Sequence, residues 1–325
     1  MKDEFCGWYF KCQAGAQTLA LIPAVHSHAG VQTCSVQLIT DHGNWNVALP
    51  AAGSRMSRRR PLARLDRSLF SPRGIHLDLR DPQCCAWGNV WFGPPSPIRY
   101  DIMGPFAWVP FLECRHRIFS MRHRVTGRLV INDTEYRFAD AAGYIEGDRG
   151  CSFPRHYAWT QCFFSQGSLM ISAAEIPLGP VRFTGAIAVV HLGQTEYHLA
   201  TYLGAAAEIG HRQITLRQGG LELTAALLET SGYSLQAPIG GAMTRQIREN
   251  AACHARYRLT LDGRQILSFE SHLASFEYEY PFCSPSGTSP APPARIKAPG
   301  TLPRALFCFL FSAPPLLPNP GLRGA

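Results

Sequence analysis

The 325-residue chain is 46% hydrophobic and carries a formal charge of +8. That hydrophobic content excludes a wholly disordered protein, and the length suffices for one large or two ordinary domains. The charge does not mark a nucleic-acid-binding face. Seven arginines against Asp66 lie between Ala51 and Arg73, and Arg295, Lys297, Arg304 and Arg323 follow Glu279 with no acid among them, which leaves −2 of the total for the rest.

The start, Met1-Lys-Asp-Glu-Phe5, has acidic residues where a secretion signal is basic, and no apolar stretch with a cleavage site follows it. No apolar run approaches the roughly 20 residues of a spanning helix. A cytoplasmic protein is the expectation. The eleven cysteines contain no Cys-x-x-Cys pair and read as reduced, mostly buried thiols.

In chain order, short runs of β-branched and aromatic residues alternate with turn signals. Ser35-Val-Gln-Leu-Ile-Thr40 precedes Asp41-His-Gly43, and Gly74-Ile-His-Leu-Asp-Leu79 follows. Arg128-Leu-Val-Ile131, Ala186-Ile-Ala-Val-Val190 and Arg256-Tyr-Arg-Leu-Thr-Leu261 continue the pattern. Only Gly241 to Ala255 suggests a helix. Ala51 to Phe70, rich in arginine with little alternation, reads as an exposed loop. From Ser284 the chain is rich in Pro, Ala and Ser without acids, a composition that predicts a disordered tail.

Self-similarity organises the remainder. Gly7-Trp8 to Cys12, then Leu19 to Pro23, is echoed by Trp159 to Cys162, then Leu169 to Pro177. His123 to Glu146 is echoed in the same order by Tyr257 to Glu279. A duplicated β-unit follows: an all-β protein of two antiparallel barrels or sandwiches, 1–143 and 144–283, with a tail over 284–325.

The densest chemistry lies between Tyr144 and Cys162. There Glu146 and Asp148 neighbour Arg149, Arg155, His156 and several aromatic side chains around Gly147 and Gly150. The residues alone allow either a salt-bridged turn or a catalytic segment. His26-Ser-His28 lacks a third ligand, so a metal is not expected. Cys114-Arg-His116 puts a thiol and a base on one strand face, without an orienting third group.

This segment resembles the signature of the tocopherol cyclase family: Tyr144, Glu146, Gly150, Phe153, Pro154, Trp159, Gln161 and Cys162 match it. Phe5-Cys-Gly-Trp-Tyr-Phe-Lys11 is similar to the family's opening motif, with Cys6 in place of a glutamate. Pro110-Phe-Leu-Glu113 is similar to a third segment. Gly147, Asp148 and Arg149 replace the family's Lys-Asn-Trp.

The resemblance extends to carotenoid hydratases of the hydroxyneurosporene synthase type, and it implies two tandem lipocalin-like halves around an apolar pocket. It also implies acid-catalysed cyclisation of a prenylated quinol, or a related alkene protonation, without a cofactor. An acid among Glu113, Glu146 and Asp148 would supply the proton. Free carboxyls have pKa values near 4, so the acid needs an apolar setting. Trp8, Tyr9, Trp108, Tyr144, Tyr157 and Trp159 would face the substrate and steady a cation. The alternative is a non-catalytic binder or carrier of the same kind of lipophile. Peripheral membrane contact fits either reading.

Overall fold

A computed structural model of the chain describes residues 2–109, 112–178, 181–229 and 232–280, which form one compact unit. Strands dominate it. The first sheet comprises β1 (Glu4–Ala14), β2 (Gln17–His28), β3 (Val31–Thr40), β4 (Asn44–Leu49), β5 (Arg55–Met56), β6 (Ala63–Leu65), β7 (Ser68–Ser71), β8 (Gly74–Asp81), β9 (Cys84–Phe92), β10 (Cys114–Ile131) and β11 (Thr134–Gly150). The second comprises β12 (Tyr157–Phe164), β13 (Gly167–Leu178), β14 (Val181–Leu192), β15 (Thr195–Ala200), β16 (Ala206–Gly210), β17 (Gln213–Gln218), β18 (Leu221–Leu227), β19 (Tyr233–Ile239), β20 (Ala242–Leu261) and β21 (Arg264–Tyr278).

The two sheets repeat one topology, as the in-order echoes predict. The first runs β4-β3-β2-β1-β11-β10-β9-β8-β7-β6-β5 and the second β15-β14-β13-β12-β21-β20-β18-β17-β16, with β19 added beside β20. Every pairing among the described residues is antiparallel, consistent with hairpin connections of a few residues. Period-2 alternation sends one side chain of each pair inward. Trp8, Leu21, Val36, Leu65, Phe70, Leu77 and Leu129, drawn from both ends of the first sheet, meet in one core, so that sheet curls around itself. A second core, with Leu169, Val190, Leu216 and Tyr257, fills the other sheet. This is a tandem lipocalin-like all-β architecture.

A third apolar cluster lies between the sheets, built from Tyr9, Ile39, Tyr144, Tyr157, Trp159 and Leu235 among others. Polar ties cross the same seam. Gln37 and Gln236 exchange bonds, with Gln37 Nε2 donating to Gln236 O at 3.0 Å and Gln236 N donating to Gln37 Oε1 at 2.9 Å. The connection from β9 to β10 also reaches across. Its short 3₁₀ turn, Gly104–Trp108, brings Phe106 against Phe183, and Tyr202 donates its hydroxyl hydrogen to Ile102 O at 3.2 Å.

Two expectations are corrected. Gly241 to Ala255 is not helical: the segment belongs to β20, paired with both β19 and β21. Its Ala, Met and Ile content allowed a helix, but Ala251, Cys253 and Ala255 alternate inward and are fully buried. Ala51 to Phe70 is not a bare loop, since it supplies β5, β6 and the start of β7 at the sheet edge. Ala63, Leu65 and Phe70 point inward while Arg64 points out. The expected tail, 284–325, lies outside the described residues.

Candidate functional site

Alternation along β11 places Tyr144, Glu146 and Asp148 on one face, directed at the second sheet. Register then sets their neighbours. Tyr9 of β1 stands opposite Glu146, and His116 of β10 stands opposite Asp148. Gly7 opposes Asp148 on the other side, and its missing side chain leaves room in the wall: an added Cβ would meet nothing nearer than Ala24 Cβ at 3.6 Å. Irregularities in the β10–β11 ladder begin beyond Ile118, so the His116 pairing is regular.

His116 bridges the two carboxylates. Its Nδ1 lies 3.0 Å from Asp148 Oδ1. Its Nε2 lies 3.1 Å from Glu146 Oε2, within ion-pairing range but poorly aligned for a directed hydrogen bond. Glu146 Oε2 also accepts from Tyr144 OH at 2.5 Å and from Trp159 Nε1 at 3.2 Å, so one carboxylate joins both sheets. Burial alone would depress the imidazole's pKa, but Glu146 and Asp148 outweigh it and hold His116 well above its ordinary value. A protonated His116 between two carboxylates is the result.

Across the seam stands a second acidic pair. Glu249 of β20 faces Glu277 of β21 directly in register, and Glu277 in turn faces Trp159 of β12. Tyr157 donates its hydroxyl hydrogen to Glu277 Oε2. Burial, with the charge of Glu146 nearby, raises Glu249 from the usual carboxyl range to about 7. Burial and then Glu249 itself raise Glu277 well above that range. Tyr9 completes the arrangement, with its hydroxyl 3.1 Å from Ser275 Oγ and its ring edge-on to Trp159 at 5.4 Å.

These groups line a cavity of about 200 Å³ between the sheets. Glu146, Asp148, Glu249 and Glu277 share its wall with Phe5, Trp8, Tyr9, Phe153, Tyr157 and Trp159, and with aliphatic side chains such as Ile22, Leu235 and Ile247. Glu113 lines it too, but is exposed. Tyr144 does not line it and acts on it through Glu146. Trp108, expected as a pocket face, is 87% exposed and stands outside the lining, because the 3₁₀ turn carrying it directs Met103 and Phe106 inward instead. Pro110 and Phe111 of the third motif lie outside the described residues.

Sequence reasoning missed Glu249 and Glu277 and set His116 aside. The one available signal was that Glu277 falls within the echo of the segment ending at Glu146. Lys11 was also passed over. It is fully buried, donates from Nζ to Leu273 O at 3.1 Å, and burial lowers it to about 8.

His116, Glu146 and Asp148 bring three donor atoms within 4.8 Å of one another, and these are the residues that would hold a cation. A metal requires the neutral imidazole, whereas both carboxylates here favour its protonated form. The donor set therefore suits a proton better than an ion. Among the described residues every cysteine is a free thiol, and no helix is long and apolar enough to cross a membrane.

Fold and site together define a two-sheet lipocalin-like protein with an acidic, aromatic-lined cavity at the seam. No protein-family model matches the chain, and a search of curated proteins returns no match either. Solved structures do resemble it. An AttH-like protein (NE1406) from Nitrosomonas europaea aligns with a TM-score of 0.50 at 12% identity, over 86% of this chain and 93% of its own. Kievitone hydratase from Nectria haematococca aligns with a TM-score of 0.48 at 8% identity, over 85% and 89%. At this level of identity the first likeness establishes the fold alone.

Proposed function

We propose that the protein is an acid catalyst of the tocopherol cyclase type, which protonates an alkene in the isoprenoid chain of a prenylated quinol and lets the phenolic oxygen close the ring. The observation that carries this reading is the fully buried Glu249 beside the half-buried Glu277 in the wall of an otherwise largely apolar and aromatic cavity. Each carboxylate disfavours ionisation of the other, and Glu249, raised to about 7, keeps a proton available near neutral pH.

The carboxylic acid gives its proton to the less substituted alkene carbon, leaving a tertiary cation. Tyr9, Tyr157 and Trp159 face that cation at roughly 0.5 to 2 kcal/mol each. The phenolic oxygen attacks, a C–O bond forms, and the phenolic proton returns to the glutamate pair. The product is an isomer of the substrate and nothing is oxidised. Glu146, steadied by His116, Tyr144 and Trp159, accepts a hydrogen bond from the quinol hydroxyl and so orients it. Asp148 acts through His116, and Glu113 stands at the rim.

The test is conversion of a prenylated hydroquinone by the full-length protein, followed as a chromatographic shift at constant mass. Glu249→Gln and Glu277→Gln should bind the probe and lose about 10² to 10⁴ of the rate. Glu146→Gln should slow turnover with affinity changed only a few-fold. Binding without conversion by the unaltered protein would leave the cavity as a carrier site and overturn the catalytic reading.

A further inference from the structure

Next to the cavity lies a smaller depression that the reaction above does not use. Arg58, Arg115, Arg117 and Arg149 line it, against only Asp101 and Asp148. It shares Trp8, Met103, His116 and Asp148 with the main cavity. The basic groups come from neighbouring places in the fold: Arg115 stands directly opposite Arg149 across the β10–β11 ladder, Arg117 is two residues further along β10, and Arg58 arrives from the connection between β5 and β6.

Like charges directly opposite each other destabilise a sheet, and the carboxylates nearby do not relieve these. Asp148 is engaged by His116, and Asp101 Oδ1 accepts from Met103 N at 2.9 Å. Arg58 pairs outward with Glu4. Arg115 donates from Nη2 to Val109 O at 2.8 Å while its buried Nε has no hydrogen-bond partner among the described residues. Among the described residues Arg117 donates only to Arg59 O, at 2.9 Å. Arg149 makes no hydrogen bond or ion pair with any described residue.

We propose that this depression is an anion-binding site that seats the carboxylate or phosphate end of a ligand whose apolar body occupies the inter-sheet cavity. Guanidinium groups with unfilled donors match the oxygens of such an anion, and the lining common to both, Trp8, Met103, His116 and Asp148, makes the two sites neighbours. The inference rests on the cavity being the substrate site and narrows the substrate class. A prenylated aromatic that retains a carboxylate satisfies both readings, whereas a neutral quinol leaves the arginines unpaired.

The experiment compares farnesyl monophosphate, farnesol and inorganic phosphate by calorimetric titration of the full-length protein. Farnesyl monophosphate should bind about tenfold or more tightly than farnesol, with a preference that shrinks at high salt. The preference should vanish in the Arg115→Gln/Arg149→Gln double variant, whose unchanged circular dichroism and farnesol affinity would show an intact cavity. If that variant fails to fold, the single Arg149→Gln variant should still lose most of the preference. Equal affinities in the unaltered protein, or a preference retained in either variant, would overturn the site. Inorganic phosphate that binds as tightly as farnesyl monophosphate and leaves farnesol binding untouched would overturn the joint seating. The readout is binding and so is independent of turnover. An inactive protein that keeps the preference refutes the acid mechanism and supports this site, and an active one without it refutes the site alone.

Discussion

Glu249, fully buried, stands directly across the β20–β21 ladder from the half-buried Glu277. The folded Glu249 titrates at about 7 against an ordinary 4.5. The folded state therefore holds this proton longer than the unfolded chain does. Its contribution to stability is full below pH 4.5 and is lost as pH rises through about 7. The whole effect is about 3 kcal/mol at most. Glu249→Gln should flatten the melting temperature between those limits and raise it at pH 8. Thermal melts across the pH range check this, and parallel curves for the two proteins would refute it.

Among the described residues His116 is the one basic side chain ion-paired with Glu146 and Asp148. Replacing it by Asn leaves Glu146 buried with its charge unpaired, and the loss should be about 3 kcal/mol, the low end for a broken buried pair because Asp148 is partly exposed. The folded imidazole's pKa is raised, so its stabilisation is complete below the ordinary value of 6.5 and fades as pH climbs through the folded value. Urea unfolding should thus separate His116→Asn from the unaltered protein widely at pH 6 and less at high pH. A gap that widens with pH would contradict the bridging role.

Gly147 is where Trp8 lies against the sheet. A Cβ there would come within 2.5 Å of Trp8 Cε3, so Gly147→Ala must push aside a ring that also lines the cavity. Overpacking of this kind costs about 1 to 3 kcal/mol. We expect a lower melting temperature together with weaker binding of farnesol. Loss of stability with unchanged affinity would show that Trp8 supports the core without shaping the cavity.

Lys11 is a buried cation held by a backbone carbonyl and the face of Phe163, 5.6 Å from its Nζ. Its folded pKa of about 8 lies below the ordinary 10.5, so the unfolded chain binds the proton more tightly and stability gains as pH rises from 8 to 10.5. Lys11→Met should abolish that gain of about 3 kcal/mol and be neutral or stabilising at pH 7. The difference between the two melting curves isolates the lysine from other groups that titrate in the same range. A variant destabilised at pH 7 would mean that the ammonium is a net support of the seam.

The strands and their duplication could be read from the chain because alternation and turn chemistry are local. Leu19, Leu21 and Leu169, Ile171 announce their faces by spacing alone. The neighbourhood of Glu146, Asp148, Tyr157 and Trp159 was legible for the same reason, since a few residues on one strand and the next must come close. Trp108 misled because an aromatic side chain carries no local sign of which way a 3₁₀ turn will point it. Arg115 facing Arg149, His116 facing Asp148, and Glu249 facing Glu277 were out of reach. Each is a matter of register between strands, and a shift of one residue sends the side chain to the opposite face. Local composition even favoured a helix where Glu249 lies, until pairing on both sides of β20 overrode it. Periodicity belongs to a segment and is written in it, whereas the partner of a charged side chain across a ladder or a seam is chosen by packing, which only the folded chain decides.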